Sequence, residues 1–262
     1  MFNTLSREQL HYLAPSIFTE GQAERTSDKY QHISSISILD KLSDEGFVPV
    51  SSQQSNVRLA NRKSYAKHLI RLRHQNARPT QSGLYPEIVL VNSHDGLSSY
   101  RLMSGLFRMV CANGLIVGST HDEVRVRHLG DITGNVIEGT YRVIDTAQQT
   151  LSMVGEMESK LLSVDEKLSF AERAHELRFA ESDNLMVNAQ SLLRPKRAKD
   201  QNSDLFTTFN VIQENLIRGG LVGIRHDNRG RRRYGRSREV KSIDRNVAIN
   251  QKLWQLSLEY LK

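Results

Sequence analysis

The chain has 262 residues, 38% hydrophobic and 25% charged, with a net charge of +7, enough for one large core or two modest ones and too apolar for a disordered tail protein. No apolar run approaches the roughly eighteen residues of a membrane-spanning helix, and the N-terminus lacks a basic opening followed by an apolar stretch of signal-peptide length. The single cysteine, Cys111, can make neither an internal disulfide nor a cysteine-based zinc site, so the reading is a soluble, cytoplasmic protein.

Arg7 to Leu13 predicts a short helix stopped by Pro15, and the polar stretch from Glu20 to Lys29 has no periodicity. Residues 1–30 are therefore expected to be a flexible lead-in. Ser34 or Ser35 can cap a helix from Ile36 to about Asp44, closed by Gly46, after which Phe47 to Val50 leaves as an extended segment. From there to Tyr141 strand patterns dominate. His68 to His74 alternates, with Arg71 and Arg73 on one face. Pro86 to Asn92 is an apolar run ended by the turn residues Asn92-Ser93-His94-Asp95-Gly96, and Ser98 to Val110 reads as its hairpin partner. Asn113-Gly114 is the strongest short hairpin signal, and Val124 to His128 alternates again. An antiparallel sheet with one basic face follows.

After Tyr141 the period becomes helical, with Ile144, Ala147, Leu151, Val154 and Leu161 on one face. Ser163-Val164-Asp165-Glu166 is a capping box that starts a second helix. Leu192 to Ser203 reads as an exposed connection, and Ser203 can cap a helix from Asp204 to about Ile217, closed by Gly219-Gly220. The arginine-rich stretch 225–241 is too polar and glycine-rich to pack alone and is expected to be a flexible loop, before a terminal helix carrying Val247, Leu253 and Trp254. The predicted fold class is α+β: a central antiparallel sheet over about residues 47–142, flanked and followed by helices. The predicted organisation is the lead-in, an α+β core over residues 31–190 and a helical C-terminal region over residues 191–262.

The charge is segregated. Residues 51–86 carry seven basic side chains and no carboxylate, and residues 194–262 carry sixteen basic and seven acidic ones, whereas residues 143–193 have a net charge of −5. Arginine outnumbers lysine in both basic blocks, and a planar bidentate guanidinium suits phosphate oxygens better than an ammonium does. Such blocks create a local positive potential that attracts polyanions; the alternative is a solvated basic surface kept for solubility. The candidate nucleic-acid contacts are Arg58, Arg62, Lys63, Lys67, Arg71 and Arg73 from the first block. Arg229, Arg231, Arg232, Arg233, Arg236 and Arg238 come from the second, with Tyr234 able to stack on a base.

Three His-Asp dipeptides occur, where roughly half of one is expected by chance. They raise a rival reading, a metal-dependent nuclease or phosphohydrolase built from His94, Asp95, His121, Asp122 and Glu138, with Mg²⁺ as cofactor. It requires those groups to converge through folding, and the turn chemistry of Asn92 to Gly96 offers the simpler explanation of His94-Asp95, side chains bonding their own backbone. Cys111, between Val110 and Ala112, reads as a buried structural thiol. No Walker-type phosphate loop and no Gly-x-Ser-x-Gly are present, so no enzyme class or cofactor is indicated.

The central block, Pro86-Glu87-Ile88-Val89-Leu90-Val91-Asn92-Ser93-His94-Asp95-Gly96 and then Tyr100 to Leu115 with Cys111-Ala112-Asn113-Gly114, resembles the phage/plasmid-like family catalogued as domain of unknown function 932. Asp44-Glu45-Gly46-Phe47, Val136-Ile137-Glu138-Gly139-Thr140-Tyr141 and Asn246 to Trp254 extend the resemblance over about residues 25–262. It implies a mobile-element setting, where recombination, replication, maintenance and counter-defence are the common tasks, and it carries over no catalytic residues. The expected function is thus a DNA-binding accessory protein, with single strands and strand annealing in view. The remaining alternative is an interaction module whose basic surface captures an acidic host protein. The absence of coiled-coil heptads leaves homo-oligomerisation open.

Overall fold

A computed structural model of the protein describes residues 3–24, 26, 30, 32, 34–80, 83–108, 114–116, 123–126, 132–179, 185–227 and 229–262. The fold is α+β, and the chain divides into two units, residues 1–148 and 149–262, the division falling inside a long helix. Residues 164–193 thus belong with the C-terminal helices rather than with the sheet, because the helix that follows the capping box packs on the later helices.

In the first unit, α1 (Arg7–Leu13) opens with a capping box in which Ser6 and Gln9 satisfy each other's backbone amides. Its apolar face is anchored: Leu10, Ala14 and Ile17 are buried in the main core. Residues 10–17 are therefore part of the body, in contrast to the mobile lead-in expected from the weak periodicity. α2 (Ser35–Asp44) buries Ile38, Leu39 and Leu42, whose three- and four-residue spacing gives one apolar face. Gly46, at φ +86°, turns the chain into the sheet.

Six antiparallel strands follow: β1 (Phe47–Gln54), β2 (His68–His74), β3 (Leu84–Asn92), β4 (Tyr100–Arg108), β5 (Gly114–Ile116) and β6 (Val124–Val126). They run in the order β1-β2-β3-β4-β5, with β6 also paired to β4. One sheet face, through Ile70, Leu72, Ile88, Leu90, Tyr100 and Leu102, packs on α1 and α2. β3 is central and buried on both faces, so its sequence is a continuous apolar run instead of an alternation. Cys111 and Asn113 lie outside the described residues; Phe107 pairs with Gly114 and Leu106 with Leu115, so Gly114 opens β5 and is not the second residue of the two-residue turn that Asn113-Gly114 predicts, which would set residue 112 against Leu115.

α3 (Ile132–Ser159) begins nine residues before Tyr141, where the change of period shows in the sequence. Gly134 and Gly139 lower helix propensity and hide its first turns in the sequence. Gly139 has a packing reason: a Cβ there would stand 2.8 Å from Val124 Cγ1 and 3.0 Å from Leu102 Cδ1, so the helix approaches β4 and β6 closely.

The second unit contains α4 (Val164–Phe179), α5 (Leu205–Arg218) and α6 (Ile243–Glu259). The Ser163–Glu166 box closes as predicted, with Ser163 N–H donating to Glu166 Oε2 at 2.7 Å. Asp204, one residue after the predicted cap, accepts from Thr207 N–H at 2.7 Å and starts α5. Leu161 falls beyond the end of α3 and pairs with Asp204 in an isolated bridge, so it does not extend the helical face. α5 is buried from Leu205 to Ile217. Its polar side chains are satisfied internally: Asn215 Nδ2 donates to the Leu192 and Arg194 carbonyls, Gln213 Nε2 donates to Asn250 Oδ1, and Arg197 grips Glu214 in a bidentate pair at 2.7 Å. Arg197 therefore fastens a connection that its sequence marks as exposed. Trp254 is buried edge-on against Phe209.

A second sheet, β7 (Met186–Val187), β8 (Val222–His226) and β9 (Arg232–Arg236), completes the unit. Most of the stretch read as a flexible arginine loop is thus a β-hairpin. The arginines hid the alternation of Val222, Ile224 and Tyr234, which a composition argument does not register.

Candidate nucleic-acid interface

The hairpin is built from its base upward. Gly219 caps α5 at φ +66°, where a Cβ would lie 2.5 Å from the Arg238 carbonyl oxygen, so only glycine lets the returning strand close on the helix end. Ser237 then exchanges backbone hydrogen bonds at 2.8 Å with Gly220 and Leu221, and Val240 N–H donates to the Ile217 carbonyl at 2.8 Å. At the tip, Asp227 Oδ1 accepts the Arg229 and Arg231 amides at 3.0 Å, and Oδ2 accepts Arg233 Nε at 3.2 Å. The Arg231 amide leads the effects that hold the Asp227 carboxyl below the usual carboxylate range. One carboxylate thereby shapes a turn surrounded by like charges.

Arg229, Arg231, Arg232, Arg233, Arg236 and Arg238 are all exposed on this hairpin, and Tyr234 is 79% exposed. Among the described residues only Arg233 of these has a carboxylate partner. In the first unit Arg58, Arg62 and Lys63 are likewise exposed, on a short 3₁₀ helix (Ala60–Tyr65) and the loop before it, between β1 and β2. Lys67 is half-buried beside the start of β2.

Arg71 and Arg73 sit differently. The β2–β3 register ends at Leu72 and Ile88, and the carboxylate of Glu87, the next residue along β3, accepts Arg71 Nε at 2.8 Å and Arg73 Nε at 2.9 Å. Glu87 is fully buried, and the two guanidinium planes lie over the rings of Phe107 and Tyr85, at 3.3 and 3.8 Å from the centroids. Desolvation lowers the Arg71 pKa, with Glu87 acting against it. Glu123 plays the same part further along the sheet, receiving Arg101 at 2.8 Å and Arg125 at 2.6 Å. Burial alone would raise its carboxyl, but the two arginines hold it below the ordinary value. The basic face expected of β2 is therefore half neutralised internally, one carboxylate serving two guanidiniums, by a glutamate that the sequence places inside an apolar run.

The proposed metal set does not assemble among the described residues. Asp95 serves its own turn, accepting Ser93 Oγ at 2.7 Å and Leu97 N–H at 3.1 Å, and Glu138 is exposed and paired with Arg142 one helical turn away at 2.5 Å. His121 and Asp122 lie outside the described residues, and no three His, Cys, Asp or Glu among the described ones form a metal-holding group.

His94 belongs instead to a buried polar cluster that the sequence did not suggest. His68 Nδ1 meets Ser16 Oγ and its Nε2 meets Ser35 Oγ, both at 2.9 Å; Asn92 Nδ2 donates to Ser35 Oγ at 3.1 Å. Ser35 Oγ is also 3.4 Å from His94 Nε2 and from the Tyr100 hydroxyl. The His94 ring stands 4.7 Å from His32 and 5.4 Å from His68. Burial pushes the His68 pKa down to about 4 and the Tyr100 hydroxyl up. Ser35 and His68 have the spacing of a nucleophile and its base, yet both are fully buried, so what the cluster does is tie α2, β2, β3 and β4 together. The clue was parity: His68 and Asn92 face the same side as Ile70 and Leu90.

An α+β chain with a six-stranded antiparallel sheet and a helical unit bearing an arginine hairpin is the architecture in hand. The model of the family described as Domain of unknown function (DUF932) matches residues 23–254, and the chain belongs to that family. It is 42% identical over 253 residues to UPF0380 protein YafZ of Escherichia coli (strain K12), covering 97% of this chain and 90% of that protein. UPF0380 protein YfjQ of the same strain is 41% identical over the same length and coverage. No solved structure matches. Among the described residues no helix is long and apolar enough to cross a membrane.

Proposed function

We propose that the protein is a nucleic-acid-binding accessory protein that grips DNA through the β8–β9 hairpin. The observation that carries this reading is the contrast between two sets of arginines. Those of the large sheet are spent on Glu87 and Glu123, whereas the hairpin holds seven arginines between Arg225 and Arg238 with one carboxylate, Asp227, among them. Cations held on a β-scaffold without counter-charges repel one another, and a phosphate backbone relieves that repulsion while releasing its own counterions. The exposed Arg58, Arg62 and Lys63 are offered as a second contact. Recombination, replication or maintenance is the setting we take from the resemblance to phage- and plasmid-borne proteins alone. Antiparallel strands followed by a long helix also make up the plan of strand-annealing proteins, an analogy of fold alone.

Fluorescence anisotropy with labelled DNA at several salt concentrations tests the reading. Affinity should fall as a straight line in log–log form, with a slope reflecting several phosphate contacts. Arg232→Glu with Arg236→Glu should weaken binding by at least about ten-fold and flatten that line. A flat salt dependence of the unaltered protein would refute the proposal.

A further inference from the structure

The front of the small sheet carries more than charge. Met186, Ile224 and Tyr234 stand in register across β7, β8 and β9, so their side chains share one face. Met186 is 60% exposed, Ile224 is half-buried and Tyr234 is open to solvent. On the same face His226 and Arg232 flank this row towards the tip, and Val222 and Arg236 flank it towards the base. An apolar row thus crosses the sheet between two arginines, Arg232 and Arg236, roughly 14 Å apart, four residues at about 3.4 Å each.

The other face is covered at its base, while Arg225 and Arg233 stand exposed on it nearer the tip. A Cβ on Gly223 would meet the Met186 carbonyl oxygen at 2.7 Å and Leu185 Cγ at 2.8 Å, and one on Gly235 would meet Leu185 Cδ1 at 3.0 Å. Leu185 therefore lies over both glycines, Val187 is buried on that side, and the His175 ring bonds the Val187 carbonyl at 2.8 Å. The base of the sheet is seated through its back, and the row of Met186, Ile224 and Tyr234 lies on the opposite side.

Phosphate contacts alone would make no distinction between paired and unpaired DNA. An exposed aromatic ring beside aliphatic groups needs a flat apolar partner, and an unpaired base offers one, whereas a base inside a duplex has both faces occupied by its neighbours. We infer that this face is a site for single-stranded DNA: one unpaired base stacks on Tyr234, a neighbouring base lies over Ile224 and Met186, and Arg232 and Arg236 take the phosphates on either side. The inference rests on the nucleic-acid reading above and adds the strand state and the residue that selects it.

The test uses the full chain, a fluorescein-labelled thymidine oligonucleotide of about thirty nucleotides and a mixed-sequence duplex of the same length. Tyr234→Ala should weaken the single strand by about ten-fold or more while leaving duplex affinity within about two-fold, and Tyr234→Phe should retain single-strand binding. Tyr234 is so exposed that neither change bears on folding, which circular dichroism checks. Equal losses on both DNA forms, or no loss on either, with salt-dependent binding intact, would overturn the stacking site and leave the hairpin an electrostatic clamp. A uridine oligonucleotide bound ten-fold more tightly would overturn the assignment to DNA. Failure of the unaltered protein to bind either form at low salt would overturn the nucleic-acid reading itself.

Discussion

Lowering the pH from 7 to 5 should cost the sheet-bearing unit about 2 kcal/mol through His68 alone. The ring is fully buried, and desolvation of its charged form pushes its pKa down to about 4, with the Ala66 carbonyl acting weakly the other way. In the unfolded chain the same ring takes up its proton near pH 6.5. Between those values the unfolded state binds a proton that the folded state refuses, so stability is full above about 6.5 and is lost as pH falls towards 4. A gap of about 2.5 pH units at about 1.4 kcal/mol each bounds the loss at about 3–4 kcal/mol, of which about 2 is reached at pH 5. His32, also lowered by burial, steepens the slope. Urea unfolding at pH 7, 6 and 5 measures the effect, with His68→Gln as the comparison, because glutamine keeps hydrogen-bonding groups near Ser16 and Ser35 without titrating. The His68→Gln curve should be flatter by the amount above. Parallel curves, or an NMR titration in which the His68 ring protons shift with a midpoint near 6.5, would refute the reasoning.

Glu87→Gln should destabilise the protein by about 3–5 kcal/mol in urea unfolding, since it leaves Arg71 and Arg73 beside a neutral group on a buried face. Gly105→Ala places a Cβ 2.4 Å from the Phe107 ring that carries Arg71 and should cost about 1–3 kcal/mol, read as a lower melting temperature. Gly219→Ala sets a side chain against the Arg238 carbonyl at a positive φ, and should speed hydrogen exchange at Gly220 and Ser237 with little change at Trp254.

Much of the fold was legible because local signals and tertiary needs agreed. The Ser163 capping box, the alternation of β2 and the apolar run of β3 each name the element that forms. The start of α3 was hidden by glycines whose value lies in contact with β4 and β6, a relation that no window of sequence contains. The hairpin was hidden by its composition. At the site, the arginines of the second basic block were legible as exposed cations, but the fate of Arg71 and Arg73 turned on a partner fourteen or more residues away. The Ser16–Ser35–His68–Asn92 cluster draws on four elements and has no local spacing to read.

The way the hairpin is closed bears on how this chain can vary. Residues 221–237 leave and return at one point, where Ser237 is bonded to both Gly220 and Leu221, and the Ile217–Val240 bond joins the ends of the flanking segments just outside. Gly223, Ile224 and Gly235 are tied to β7 and Leu185, but the tip beyond them can change length or sign while α5 and α6 keep their own contacts. On the proposed reading, the tip and the body that carries it are therefore separable: a different tip on the same base would give the same scaffold a different taste in partners.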